Sequence, residues 1–299
     1  MEWSAVRRGS RRRLVGSSLL VLAAVSLTGC SSETAGEWKR IAMPPAATEE
    51  GTHNLALWQG AWIAAMVTGV ITWGLIFYVL WRFRRRSADE VPVQTRYNLP
   101  LEIFYTIAPV LMCIVFFTHT VTTENKLLDE SKATNTIEVV GQQWSWTFNY
   151  GLGERDAAAD DFTSVQKSFP YDDYVYEAGT ASYIPTIYLP VNVTTRFNLH
   201  SPDVIHDFGV PAFHMRMDVV PGRVNHYAVT PTKIGDYDGK CYELCGVSHS
   251  RMLFKVKVVS QADYDAYLQK LEDEGQTSET PLLGGEDAYT QAGLEGESE

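Results

Sequence analysis

The sequence predicts a membrane-anchored protein in which a two-helix transmembrane hairpin precedes an all-β Greek-key sandwich or barrel. Three observations carry that expectation. Apolar residues crowd into two runs, 61–81 and 101–121, each long enough to cross a bilayer. Beyond them, residues 135–259 break into short stretches rich in β-branched and aromatic side chains, separated by turn residues. The charge is divided in the same way: residues 1–120 hold 12 Lys+Arg against 8 Asp+Glu, and residues 121–299 hold 13 against 28. With 45% hydrophobic residues, 20% charged residues and 4 Cys in 299 residues, the chain is not of the disordered, collagen-like or disulfide-scaffold class. An acidic back half repels phosphate backbones, which argues against nucleic acid as a partner and suits a basic protein face.

In chain order, Arg7, Arg8, Arg11, Arg12 and Arg13 precede an apolar stretch at 14–27 that is too short to span, and Leu27-Thr28-Gly29-Cys30 follows. That order describes an export signal over residues 1–29. The final quartet resembles a bacterial lipobox, in which cleavage leaves Cys30 as a lipidated first residue; the alternative is a plain signal peptide with Cys30 inert. Residues 30–57, with Pro44-Pro45, read as an extracytoplasmic linker. The hairpin follows at 58–121. Its first run lacks any charged side chain and is bordered by Trp58, Trp62 and Trp81, like the aromatic belts of membrane interfaces. The second holds Glu102 at its start and Pro109 inside, both tolerable in a packed span. Arg82, Arg84, Arg85, Arg86 and Arg96 fill the short connection. By the positive-inside rule that connection is cytoplasmic, so both flanks of the hairpin lie outside the cell membrane.

Within the exported part, 122–271, the strand candidates are 136–140, 144–150, 182–189, 191–199, 204–210, 223–230 and 253–259. Pro190, Ser201-Pro202-Asp203, Pro221-Gly222 and Asp238-Gly239 read as the turns between them. Residues 260–271 carry Ala262, Tyr264, Leu268 and Leu271 at loosely helical spacing. From Glu274 onward there are seven acidic residues and no basic one, so 272–299 is expected to be an acidic disordered tail.

The densest chemistry lies in Cys241, Glu243, Cys245, His249 and Met252. Two thiols, an imidazole and a thioether within twelve residues suit copper, or zinc if the methionine is ignored. A Cys241–Cys245 disulfide fits an oxidising compartment equally well, and spacings of four, four and three would also make a helical stripe. Copper uses all four side chains and needs a further ligand from elsewhere. Strand parity places His206 with Val204, Phe208 and Val210, opposite Asp207, while His200, His214 and His226 are not excluded by spacing.

With these residues in view, the chain resembles subunit II of the haem-copper cytochrome c oxidases, in its actinobacterial form, from about residue 58 to 271. The motifs that carry the resemblance are Tyr97-Asn98-Leu99-Pro100-Leu101-Glu102, Gly141-Gln142-Gln143-Trp144-Ser145-Trp146, Ser201-Pro202-Asp203-Val204-Ile205-His206, Val220-Pro221-Gly222-Arg223 and the 241–252 segment. The resemblance implies a cupredoxin-like barrel holding the dinuclear copper centre CuA, with Cys241 and Cys245 bridging and His206 and His249 each contributing an imidazole. Met252 and the backbone carbonyl of Glu243 would be the weak axial ligands. It further implies electron entry from a c-type cytochrome at Trp144, with Trp146 packed in the barrel, and magnesium shared with subunit I through the Glu243 side chain. Glu102 would mark the mouth of a proton path into subunit I, although Asn98, Pro100 and Glu102 are also ordinary helix-start chemistry.

The implied partners are subunits I and III and a donor held in a supercomplex with the bc complex. The implied role is electron delivery to the haem of subunit I for proton-pumping oxygen reduction. The sequence departs from the family at Asp207, where a small residue commonly follows the ligand histidine, and this bears on the contact with subunit I. A quinol-oxidase subunit, lacking the copper ligands, and an exported binding protein closed by a disulfide are the competing classes.

Overall fold

The computed structural model describes residues 32–284 except 88, 157–158, 160–167 and 181, so the export signal and Cys30 lie outside the described residues. Two compact units meet between Pro44 and Pro45. In the first, where the sequence suggested only linker, Ser32–Arg40 is a helix with Glu33 in its first turn and Lys39 and Arg40 in its last, charges that suit the helix dipole at each end.

In the second unit, the first long helix, Glu49–Arg82, begins well before the apolar run, because Thr48 caps it by accepting from the Gly51 N–H at 3.0 Å and Glu49 and Glu50 fill the first turn. At 34 residues it is about 51 Å long, more than the ~30 Å hydrocarbon core needs, and its first turns project into the exported domain. There Ala47 N–H donates to Ala212 O, Glu49 N–H to Thr230 O, Thr230 N–H to the Glu50 carboxylate and Asn54 Nδ2 to His214 O. The barrel is thereby fastened to the top of the first span. The second long helix, Leu99–Leu127, starts at Asn98, whose side chain accepts from Leu101 N–H while the Glu102 carboxylate accepts from Asn98 N–H at 3.0 Å. Both helices are long and apolar enough to cross a membrane.

The domain after the two long helices is two packed sheets. Its strands are β1 (Asn135–Gln142), β2 (Ser145–Leu152), β3 (Asp173–Ala178), β4 (Thr186–Pro190), β5 (Thr195–His200), β6 (His206–Val210), β7 (Met215–Val219), β8 (Asn225–Val229), β9 (Gly235–Cys241), β10 (Leu253–Val259) and β11 (Thr277–Ser278). One sheet has the order β11-β3-β2-β1-β5-β8 and the other β4-β10-β9-β6-β7. β1 runs parallel to β5 and β4 to β10, and the chain passes repeatedly from one sheet to the other, with β4, β6 and β7, and β9 and β10 in the second sheet and the remaining strands in the first. Inward-facing rings form the core: Phe208 stacks on Phe254 at 4.7 Å between centroids, and Trp146 meets both edge-on at 5.4 and 5.5 Å.

Four features correct the sequence reading. Asp238-Gly239 is no turn but the middle of β9, paired with Lys255 and Phe254. A Cβ on Gly239 would lie 2.1 Å from the Phe254 ring, so the glycine is there for close packing. β3 and β7 were not foreseen, and β4 starts at Thr186 instead of 182. The terminal helix, Gln261–Asp273, is capped by Ser260. The segment after it does not behave as a disordered tail from 272: β11 pairs with β3, and Asn149 brackets Leu282, accepting from its N–H at 2.8 Å and donating to its carbonyl at 3.2 Å. Residues 285–299 lie outside the described residues.

Candidate metal centre

The site forms at one end of the sandwich, where the β5–β6 connection meets the β9–β10 loop. His206 opens β6 and is fully buried. Its Nε2 is 2.9 Å from Asp203 Oδ1, which leaves Nδ1 facing Cys241 Sγ at 3.9 Å. A carboxylate on the far ring nitrogen is the usual device for aiming an imidazole at a metal. Burial works against charge on both groups. Their mutual hydrogen bond, with the Gln143 and Val204 N–H groups on Asp203, outweighs it, so Asp203 is held below and His206 above the ordinary value. Gly141 leaves room for this ring: a Cβ there would be 3.3 Å from it.

Cys241 ends β9, where register places it opposite Phe208, and its N–H donates to Met252 O at 3.0 Å. The chain then leaves the sheet, passes Gly246 at a φ of 123°, and makes a 3-10 turn at His249–Arg251 before β10 begins. This loop brings Cys241 Sγ to 3.2 Å from Glu243 O and 3.9 Å from Cys245 Sγ. Cys245 Sγ is in turn 3.5 Å from His249 Nδ1 and 3.7 Å from Met252 Sδ. Met252 is fully buried and His249 half-buried.

Two sequence alternatives fail on this geometry. The thiols are free, far beyond the ~2.05 Å of a disulfide bond, and the segment is loop and 3-10 turn, not an α-helical stripe. With metal–thiolate bonds of about 2.3 Å, a cation between the sulfurs reaches both across 3.9 Å. Two thiols, a thioether and two imidazoles form a set suited to copper, with the Glu243 carbonyl oxygen beside it. Burial raises both thiols. At Cys241 the His206 imidazole and backbone hydrogen bonds overcome it, and at Cys245 the neighbouring thiol adds to it, so a metal must displace the more tightly held proton of Cys245.

Trp144 is half-buried at the rim and its Nε1 donates to Cys245 O at 3.1 Å, whereas Trp146 is fully buried and donates to Met252 O at 3.4 Å. Glu243 presents an exposed carboxylate. The other histidines are committed elsewhere: His200 to Glu138 at 2.6 Å, His214 to Gly51 O at 2.9 Å and His226 to Glu130 at 2.7 Å. Asp207 points out of the core, as parity requires, yet its side chain is only 5% exposed. Burial pushes its carboxyl up to about 6, against the pull of Arg216 at 3.5 Å. Asp203 and Gln143 stand in the sequence motifs with no role marked there by residue type; the available signal is the carboxylate of Asp203 three residues before His206.

A family model described as cytochrome C oxidase subunit II, periplasmic domain, matches residues 135–259. A probable cytochrome c oxidase subunit 2 of Streptomyces avermitilis is 44% identical over 92% of this chain and 92% of its own. The cytochrome c oxidase subunit 2 of Mycobacterium bovis is 35% identical over 91% of this chain and 85% of its own. The periplasmic domain of subunit II of cytochrome oxidase from Bradyrhizobium japonicum is 26% identical, with a TM-score of 0.38, over 48% of this chain and 96% of that one.

Proposed function

Because the chain belongs to the cytochrome c oxidase subunit II family, we propose that it is the electron-entry subunit of a haem-copper oxidase, passing single electrons from a c-type cytochrome to the haem of subunit I. The observation that carries the reading is the buried cluster of His206, Cys241 and Cys245, with His249 and Met252 both set against the Cys245 sulfur. These residues, with the Glu243 carbonyl, would hold the dinuclear copper centre. When bound, it supplies a one-electron relay whose charge is shared between two metals.

The rest of the work falls to the chain itself. Asp203 holds the His206 ring so that Nδ1 stays available, and the core rings Trp146, Phe208 and Phe254 keep water from the floor of the site. Trp144, at the rim and bonded through Nε1 to the Cys245 carbonyl, offers a donor a short covalent and hydrogen-bonded route to a ligand residue. The Glu243 carboxylate would hold magnesium together with subunit I. Glu102, which serves the helix start, would also open a proton path into subunit I. Two membrane spans, the exported acidic domain, lipid on Cys30, association with subunits I and III, and a donor held with the bc complex complete the reading.

Copper content and electron paramagnetic resonance of the full chain test it. Two coppers per chain with a seven-line mixed-valence spectrum, both lost in Cys245→Ser, are expected; a metal-free protein whose thiols do not take up copper after reduction would overturn the reading.

A further inference from the structure

The metal centre lies where two loops meet, the one of Asp203 that leads into His206 and the one of Cys245. β6 and β9 pair at Phe208 with Cys241 and Gly209 with Lys240, and Tyr242 N–H donates to Asp207 O at 3.1 Å; past these bonds the Cys245 loop leaves the sheet, while His206 stays in β6 opposite Val219 and Asp203 lies in the loop before it. A third segment, the β1–β2 turn in the opposite sheet, touches both. Gln143 N–H donates to Asp203 Oδ2 at 2.7 Å, on the carboxylate that aims His206, and Gln143 Nε2 donates to the Cys245 carbonyl at 2.6 Å. A carbonyl can only accept, so the amide nitrogen must face it. The same carbonyl receives Trp144 Nε1. Gly246 sits directly on this pair, with a Cβ there falling 2.9 Å from the Trp144 ring and 3.1 Å from Gln143 Nε2. The contact is therefore tight enough to exclude any side chain at 246.

We infer that Gln143 is a positioning residue that clamps the two metal loops to each other, its backbone arm acting on His206 through Asp203 and its side-chain arm on the backbone of Cys245. The inference rests on the copper reading for its consequence, since a donor set held rigid before loading keeps its geometry as charge arrives and leaves. Only the side-chain arm is removable by mutation, because any residue at 143 except proline retains the N–H.

Gln143→Met, close in length but without a donor, tests the clamp in the assembled oxidase, with Gln143→Leu as a second variant that cannot donate. Three readouts are taken: copper release to a chelator, the hyperfine pattern of the mixed-valence spectrum, and amide exchange at Gly246 and Val247 in metal-free protein. Release about 10-fold faster or more, a changed hyperfine pattern and faster exchange at these two amides are expected in both variants. Trp144→Phe, which keeps the Gln143 arm, is expected to change all three less. Release within twofold of the parent with an unchanged spectrum would overturn the clamp, including when the variant merely melts earlier. If the parent itself binds no copper, the copper reading fails while amide exchange alone still decides the clamp.

Discussion

No residue of the second long helix is buried, and in the first only Glu50 and Gly51 are, at the end that meets the barrel; in β5 and β6 every residue is buried. The two regions reach order by different means. Each span is held by its own backbone hydrogen bonds and by caps from adjacent residues, and its apolar sides are left for lipid or other subunits. The metal end owes its order to partners far away in sequence: Gln143 to Asp203 and to Cys245, and Trp146 to Met252. A local change should therefore stay local in the hairpin, while one in the barrel should travel to the loops of the candidate metal centre.

The sharpest way to break this comparison is Trp146→Ala. It removes the largest core ring and the donor to Met252 O, and about 3–5 kcal/mol should be lost from denaturant unfolding of the metal-free exported domain. A loss under ~1 kcal/mol would mean that the core does not support the loops. Asp207 gives a smaller effect of known sign. Its folded carboxyl is raised from 3.8 to about 6, so the folded state binds the proton more tightly and stability should fall as pH rises through that window. Asp207→Asn should abolish the fall and leave the domain more stable at pH 7, by on the order of 1 kcal/mol once partial solvent screening is allowed for. An unchanged pH profile would place the titration elsewhere. The mildest change is Asn98→Ala, which removes a helix cap remote from the barrel. It should cost about 0.5–1 kcal/mol at the start of the second span and leave the copper spectrum as in the parent. A spectral change would show that the regions are coupled after all.

Legibility followed the same division. The spans were readable because apolar length is a local property, and β10 was read to the residue because its apolar positions alternate. β9 was not, since its sequence, Gly235-Asp236-Tyr237-Asp238-Gly239-Lys240-Cys241, looks like a turn until Lys255 and Lys257 on β10 pair with its acids and Phe254 occupies the space over Gly239. The segment after Asp273 carries a composition typical of disorder, yet Thr277 and Ser278 pair with β3 and Leu282 is held by Asn149, partners that lie far away in sequence.

By itself the sequence determined the two long apolar helices with the Asn98 cap of the second, several of the strands, and the chemical types of the candidate metal ligands, all of which depend on residue identity and short-range spacing. The tertiary structure decided that His206 is the histidine facing Cys241, that the thiols stand 3.9 Å apart unbonded, and that Asp203 and Gln143 stand behind these side chains. The physical reason is one of range. A side chain's donor chemistry and helical or strand period are carried within a few residues, whereas distances between loops are set only when two sheets close on a shared core.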